Sequence, residues 1–485
     1  MRARRVLTPI PIGLALAALM ITAPGDAIAR PTTAVPTSGA PWGTAHQIRG
    51  TGSLRIAGLV SGTQISCGRP GNCVLTGSER NRTRRYEPFI ASEVAGRWHE
   101  ATTLPGMAAL DHGKTARPSA ISCPSPGNCA VVGSYFNAAG LLLPFVAIQV
   151  HGTWRNATEL PGMTAFNAGR SAQLVSVSCP AAGDCLAGGS YRDATGRNTQ
   201  AFVASQTKGT WSAPIEVPGT AQLNTYGGGS VTSVFCVAPG ACAATGRYTR
   251  SAGADRAFVA NQVGGVWGTA IEVPGLSSLA QGGYGDVGNV SCWSAGGCAV
   301  GGTFNGSHGQ GAFVADEVRG MWLTVQKVRG LRRVDFMGIT LMSCASGGAC
   351  TAGGLFHVRN LPGHYEPFVV SGTKDTWGQA MPIPGIATLD KGLNAEVDAL
   401  SCPSPGNCAA GGGYSDARGQ DAFVVLRVHR LWHRAMAAPG TKALNLGGFA
   451  DITSMTCPPT GPCTASGFFT GRQFFDVRAF VLSQR

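Results

Sequence analysis

The chain reads as all-β: a single eight-bladed β-propeller of four-stranded antiparallel blades, closed by an N-terminal strand that completes the last blade. Three observations predict it. Sixteen cysteines fall into eight pairs of identical spacing. A fixed series of landmarks follows each pair. The last unit lacks one strand, and the start of the chain carries a spare one. A β-solenoid is the alternative architecture, but it gives no reason for the divided unit.

The pairs are Cys67 with Cys73, Cys123 with Cys129, Cys179 with Cys185, Cys236 with Cys242, Cys292 with Cys298, Cys344 with Cys350, Cys402 with Cys408 and Cys457 with Cys463. A Phe in an F-V-A-like stretch follows each pair: Phe89, Phe145, Phe202, Phe258, Phe313, Phe368, Phe423 and Phe480. A G-x-W-like turn comes next, with Trp98, Trp154, Trp211, Trp267, Trp322, Trp377 and Trp432, and then typically a Pro-Gly. Read from Gln173, one unit gives the short strands LVSVSC, CLAGGSY, AFVASQT and WSAPIEV. Short runs bounded by Gly, Pro and Asn are the mark of antiparallel hairpins. No unit holds a helical period. The eighth unit stops after AFVLSQR, without its Trp strand; PWGTAHQIRG, with Trp42, supplies it from the other end and matches VWGTAIEVPG. A ring closed this way hides the strand edges that an open array exposes.

Seventy glycines, 44% hydrophobic residues and only 13% charged residues in 485 fit a folded chain of short strands and turns. Residues 1–29 read as a signal peptide, with Arg2, Arg4 and Arg5, an apolar stretch and Ala27-Ile28-Ala29 for cleavage. Residues 30–41 form a flexible leader and 42–485 the propeller. No later segment is long and apolar enough to span a bilayer. The expected location is extracellular, and the expected state a monomer. The formal net charge is +13, but the basic residues are scattered, with clusters only at Arg82–Arg85 and Arg332-Arg333. No basic stripe with interleaved aromatics appears, so nucleic acid is not the expected partner.

The layout resembles the propellers of the sialidase (Asp-box, BNR-repeat) group, where a G-x-x-W turn joins the third and fourth strands of a blade. It is also similar to secreted actinobacterial proteins rich in S-C-P-x-x-x-x-C repeats. The Asp box itself is degenerate: VHGTW, TKGTW and VGGVW lack its Asp and its full spacing. A sialidase of that group would need three arginines around a carboxylate, and no such trio can be placed. It would also need a Tyr–Glu pair. Tyr86-Glu87 and Tyr365-Glu366 occur, both in Y-E-P-F and both leading into the repeated Phe strand.

The cysteines read as local disulfides. Zinc ribbons use C-x-x-C pairs that converge, and thioredoxin-type redox motifs need C-x-x-C at a helix start. Here the gap is five, and the nine histidines do not accompany the pairs. An exported chain with two cysteines per unit favours staples across the first hairpin of each blade.

The cysteine loop and the G-x-W turn share one face of the ring and vary little between units. The other two connections share the opposite face and vary freely, as in LDHGKTARP, LNTYGGG, YRDATGRNTQ and FHVRNLPGHYE. Variation marks where a ligand is read. Six residues before each first cysteine, at the channel mouth, stand Ser61, Arg117, Gln173, Ser230, Asp286, Gly338, Glu396 and Asp451. Asp286, Glu396 and Asp451, with Asp398 beside Glu396, are the candidate binding acids; Arg117 is a candidate for an anionic group. Paired carboxylates can do acid–base glycosidase chemistry or hold Ca²⁺. A solvated polar rim is the simpler reading, and no cofactor is otherwise implied. Tyr135, Tyr191, Tyr248, Phe304, Phe356, Tyr414 and Phe469 can stack sugars or pack between blades; their regular recurrence favours packing. No G-x-S-x-G, H-E-x-x-H or Walker-type loop occurs.

The expected function is therefore a secreted binding module for a glycan or protein, acting through the variable face without catalysis. A glycoside hydrolase or lyase using Asp286, Glu396 and Asp451 is the alternative. A structural cell-envelope protein is a third reading.

Overall fold

The computed structural model describes residues 41–52, 60–81, 83–168, 170–281, 283–307, 309–472 and 476–485. The expected signal peptide, residues 30–40 of the leader, and Arg82 of the basic cluster lie outside them. Eight antiparallel sheets follow one another along the chain. Blade 1 carries Cys67 and Cys73, and blade 8 carries Cys457 and Cys463. In blade 3 the strands are Ala172–Ala181, Asp184–Arg192, Thr199–Thr207 and Thr210–Trp211. First strands of neighbouring blades touch all the way round, so they line the axis.

The ring closes as the divided unit requires. Trp42 bridges Gln484, and His46–Gln47 pairs with Val481 and Phe480 in the third strand of blade 8. Blades 8 and 1 also meet at their first strands. The Thr63 and Thr453 hydroxyls lie 2.6 Å apart, and the Ile65 N–H donates to Ser454 Oγ at 3.1 Å.

All eight cysteine pairs are disulfides, and no cysteine is free. Cys67 is bonded to Cys73, Cys123 to Cys129, Cys179 to Cys185 and Cys236 to Cys242. Cys292 is bonded to Cys298, Cys344 to Cys350, Cys402 to Cys408 and Cys457 to Cys463. In four blades the partners stand directly opposite in the ladder, as at Cys236 and Cys242. The residues around them are equally occupied. Ser122 Oγ accepts the N–H of Cys179 in the next blade at 3.0 Å. Ser66, Ser178, Ser291, Ser343 and Ser401 do the same for the first cysteine one blade on. Gly127 takes a left-handed φ of 72°, a conformation that glycine adopts without steric cost. Its carbonyl accepts the N–H of Gly152 in the G-x-W turn at 2.8 Å. That bond recurs in blades 1 to 7. Asn128 Oδ1 accepts the N–H of His151 in the same turn.

Each repeated Phe is at most 1% exposed and faces a glycine on the second strand, such as Gly133 opposite Phe145. A Cβ at Gly133 would lie 2.2 Å from the Arg117 carbonyl oxygen and 2.7 Å from the Phe145 ring. The aromatics after the second cysteine are buried as well; Tyr135, Tyr191 and Tyr248 donate to Glu159, Glu216 and Glu272 of their own blades. Tyr191 packs among Ala130, Val132 and Val146 of the preceding blade, so these rings belong to the core between blades.

Two features depart from the sequence reading. The Trp strand is broken, as between Thr153–Trp154 and Thr158–Glu159. At the break the Ala157 N–H donates to the Pro105 carbonyl of the preceding blade at 2.8 Å. Ala45, Ala101, Ala270, Val325, Ala380 and Ala435 make the matching bond. Blade 3 carries Pro214 at that position and has no N–H to give. Second, single-turn helices follow the Pro-Gly in six blades, such as Thr220–Leu223. At four or five residues they are too short to show a 3.6-residue period.

Candidate functional site

The cysteine loops and G-x-W turns are tied together at one end of the ring. The other connections therefore emerge at the opposite end, where each first strand begins. Four residues before the first cysteine every first strand is bulged, at Thr63, Ser119, Val175, Thr232, Gly288, Thr340, Asp398 and Thr453. A bulge leaves a residue outside the ladder and turns its side chain. Asp398 is the charged member of that ring.

Glu396 is paired in the ladder of one strand (Ala395–Ser404), and Asp398, two residues on, is the bulged residue of the same strand. Asp451, on the first strand of blade 8 (Ala450–Thr456), occupies the position equivalent to Glu396. One carboxylate oxygen from each of the three lies within 4.8 Å of the others. Asp451 is only 7% exposed, and its Oδ1 has no hydrogen-bond partner among the described residues; nor does Asp398 Oδ2. Burial, followed by the Asp398 and Glu396 charges, raises the Asp451 carboxyl well above the ordinary range. Burial and then the Glu396 charge raise Asp398. Gly413 stands opposite Glu396 in the ladder. A Cβ there would lie 2.3 Å from Gln420 Nε2 and 3.3 Å from Asp451 Oδ1, so the missing side chain lets the Gln420 amide pack close to the acids.

The other candidates are elsewhere. Asp286, in blade 5, stands outside this group; its carboxylate accepts the Val287 N–H at 2.8 Å. Burial raises its pKa, and Arg247 opposes that rise. Arg117 is exposed and lies over the Tyr86 ring at 3.6 Å, a cation–π contact. Tyr86 and Glu87 open a strand (Tyr86–Val94), and Glu87 accepts from Asn81 at 2.6 Å.

Sequence reasoning passed over a cleft that Glu396, Asp398 and Asp451 do not line. It has a volume of about 350 Å³ and lies between blades 7 and 8 on the variable face. Asp416, Arg418, Gln420, Lys442 and Asn445 supply its polar wall. Asn445 Nδ2 donates to the Gln420 carbonyl at 2.8 Å and fixes the two loops together. Phe449, 37% exposed, bridges to Gln420 and stacks on Phe468 with ring centroids 5.6 Å apart. The one available signal was the variability of SDARGQD and NLGGF between units.

The cysteines take no part in that cleft. Cys408 and Cys463, in the two blades that form it, are absent from its wall and bonded to Cys402 and Cys457. Clefts of about 360 and 310 Å³ also open on the cysteine face, between blades 2 and 3 and between blades 3 and 4. They are walled by the repeated cysteine loops and G-x-W turns. Cys129, Cys179, Cys185, Cys236 and Cys242 line them. Cys73, Cys298 and Cys350 line none of these clefts and are buried within their blades. Every one of these sulfurs is bridged, so the cysteines are framework and offer no thiolate to a ligand or metal.

No protein-family model matches the chain, and no curated protein matches it. Among solved structures, a polysaccharide lyase (an ulvan lyase) is similar at 8% identity, over 92% of this chain and 95% of its own, with a TM-score of 0.43. A protein of unknown function from Dyadobacter fermentans is similar at 10% identity, over 92% of this chain and 100% of its own, with a TM-score of 0.40. A Hadza microbial sialidase is similar at 10% identity, over 91% of this chain and 68% of its own, with a TM-score of 0.35. Likenesses of this size carry nothing about activity.

Proposed function

We propose that the protein is a secreted, non-catalytic binding module that takes a glycan into the cleft between blades 7 and 8. The observation that carries this reading is the wall of that cleft. Asp416, Arg418, Gln420, Lys442 and Asn445 offer donors and acceptors for hydroxyls, and the exposed Phe449 ring beside them offers a face for sugar C–H groups. Eight disulfides without a free thiol fit an oxidising compartment, and among the described residues no helix is long and apolar enough to cross a membrane. A glycan array read with the full chain, beside a reducing-end release assay on the retained glycans, tests it. Retention that weakens at least about tenfold in Gln420→Ala and Phe449→Ala, without release, is the expected result. A blank array ends the glycan reading, and robust release ends the non-catalytic one.

A second reading has its own support. Carboxylates from two blades converge within 4.8 Å, and burial raises both aspartates, Asp398 to about 7, as a general acid requires. A hydrolase or lyase on Glu396, Asp398 and Asp451 would lose turnover in Glu396→Gln with its fold intact. Asp286, outside that group, would not take part in it.

A further inference from the structure

Three carboxylates sit together with no cation beside them: no Lys, Arg or His forms an ion pair with Glu396, Asp398 or Asp451 among the described residues. Three carboxylates so close, one of them almost wholly buried, can all be ionised only where a cation offsets their mutual repulsion. One further observation points to a ligand: Asp451 is 7% exposed, and its Oδ1 is buried without a hydrogen-bond partner among the described residues. We propose that Glu396, Asp398 and Asp451 hold one oxygen-seeking divalent cation, Ca²⁺ foremost, which ties blade 7 to blade 8.

The donor set argues for a hard cation: it is all carboxylate, with no sulfur or imidazole. The spacing argues for the larger one. Ca²⁺ takes oxygen ligands at roughly 2.3–2.6 Å, so ligands on opposite sides of it stand about 5 Å apart, whereas Mg²⁺ draws them to about 4 Å. Oxygens within 4.8 Å of one another can therefore surround Ca²⁺ with little movement. Asp398 reaches the site because the bulge releases it from the ladder, and Asp451 because its blade starts one step round the ring. The remaining coordination positions fall to water. The site stands without the glycan reading and is tested without any glycan.

The experiment uses the full chain, disulfides intact, dialysed against EDTA and then titrated with CaCl2 by calorimetry and thermal unfolding. One ion per chain is expected, with a Tm rise of roughly 2–5 °C at about a hundredfold excess over Kd. Asp451→Asn should lose both the heat and the Tm rise. In EDTA it should melt at least as high as the unsubstituted protein, because the amide spares the cost of burying an acid among two others. If that variant fails to fold, Asp398→Asn gives the same readout. Asp286→Asn should keep the Ca²⁺ response. No response to CaCl2 up to about 10 mM, beyond the range of weak extracellular sites, overturns the proposal. So does a response that both Asp451→Asn and Asp398→Asn retain, or tighter binding of Zn²⁺ than of Ca²⁺.

Discussion

The two ends of the propeller are built on different rules. At the cysteine end, the same bonds recur blade after blade: the disulfide, the backbone bond from the G-x-W turn to a glycine carbonyl of the cysteine loop, and the serine that takes the next blade's N–H. At the other end, fewer bonds recur. The Asn445 clasp on the Gln420 carbonyl is matched by Asn224 on Thr199, but Lys114 Nζ donating to the Ala138 carbonyl and the His357 pair with Asp335 belong to single connections. Recurrent bonds hold the ring in register, so that end is free of individual tasks. The unrepeated end can depart from the pattern, and it is where three carboxylates from two blades converge.

The comparison yields predictions in descending order of effect on stability. The largest strikes the repeated framework. Gly133→Ala drives a methyl into the Arg117 carbonyl and the Phe145 ring and should cost about 3 kcal/mol or more, read as a lowered midpoint in denaturant unfolding. Opening one staple, as in Cys123→Ser with Cys129→Ser, should cost roughly 2 kcal/mol, because so short a loop restricts the unfolded chain only modestly. Ser122→Ala strands the Cys179 N–H and should cost about 1–2 kcal/mol by the same measurement.

A smaller effect depends on pH. Gln149, Gln206 and Gln262 donate to the glycine carbonyl of their own G-x-W turns. Glu93 and Glu317 occupy that position in blades 1 and 5, and an ionised carboxylate cannot donate there. Burial raises Glu93, and raises Glu317 to about 7. A carboxyl raised in the folded state stabilises below its unfolded pKa, near 4.5, and loses that contribution as pH climbs through the folded value. Glu317→Gln should therefore raise Tm at pH 8 by an amount matching about 1 kcal/mol, and change little at pH 4. If the gain were equal at both pH values, ionisation would not be its source. Smallest of all, Lys442→Ala on the variable face should move stability by no more than about 0.5 kcal/mol. A large loss there would erase the distinction between the two ends.

Much of this was readable from residue order. Eight cysteine spacings counted the blades, and the strand missing after Arg485 and present at Trp42 closed the ring, because a period-two pattern with fixed landmarks survives translation into sheets. The recurring aromatics read correctly as packing for the same reason. The candidate acids were a different matter. Asp286, Glu396 and Asp451 share one repeat position, but repeat position fixes only height along the axis and blade number. Which carboxylates meet depends on the path of each strand and on what neighbouring blades leave open.

Sequence by itself determined the number of blades, the pairing of the cysteines and the face that carries variation, since each follows from local spacing repeated eight times. Tertiary structure alone decided that Asp398 joins Glu396 and Asp451 while Asp286 stands apart, and that the missing side chain of Gly413 lets Gln420 pack close to them. Those contacts join blades 7 and 8 through a bulge, an absent side chain and the curvature of the ring. None of these leaves a periodic mark in the order of residues.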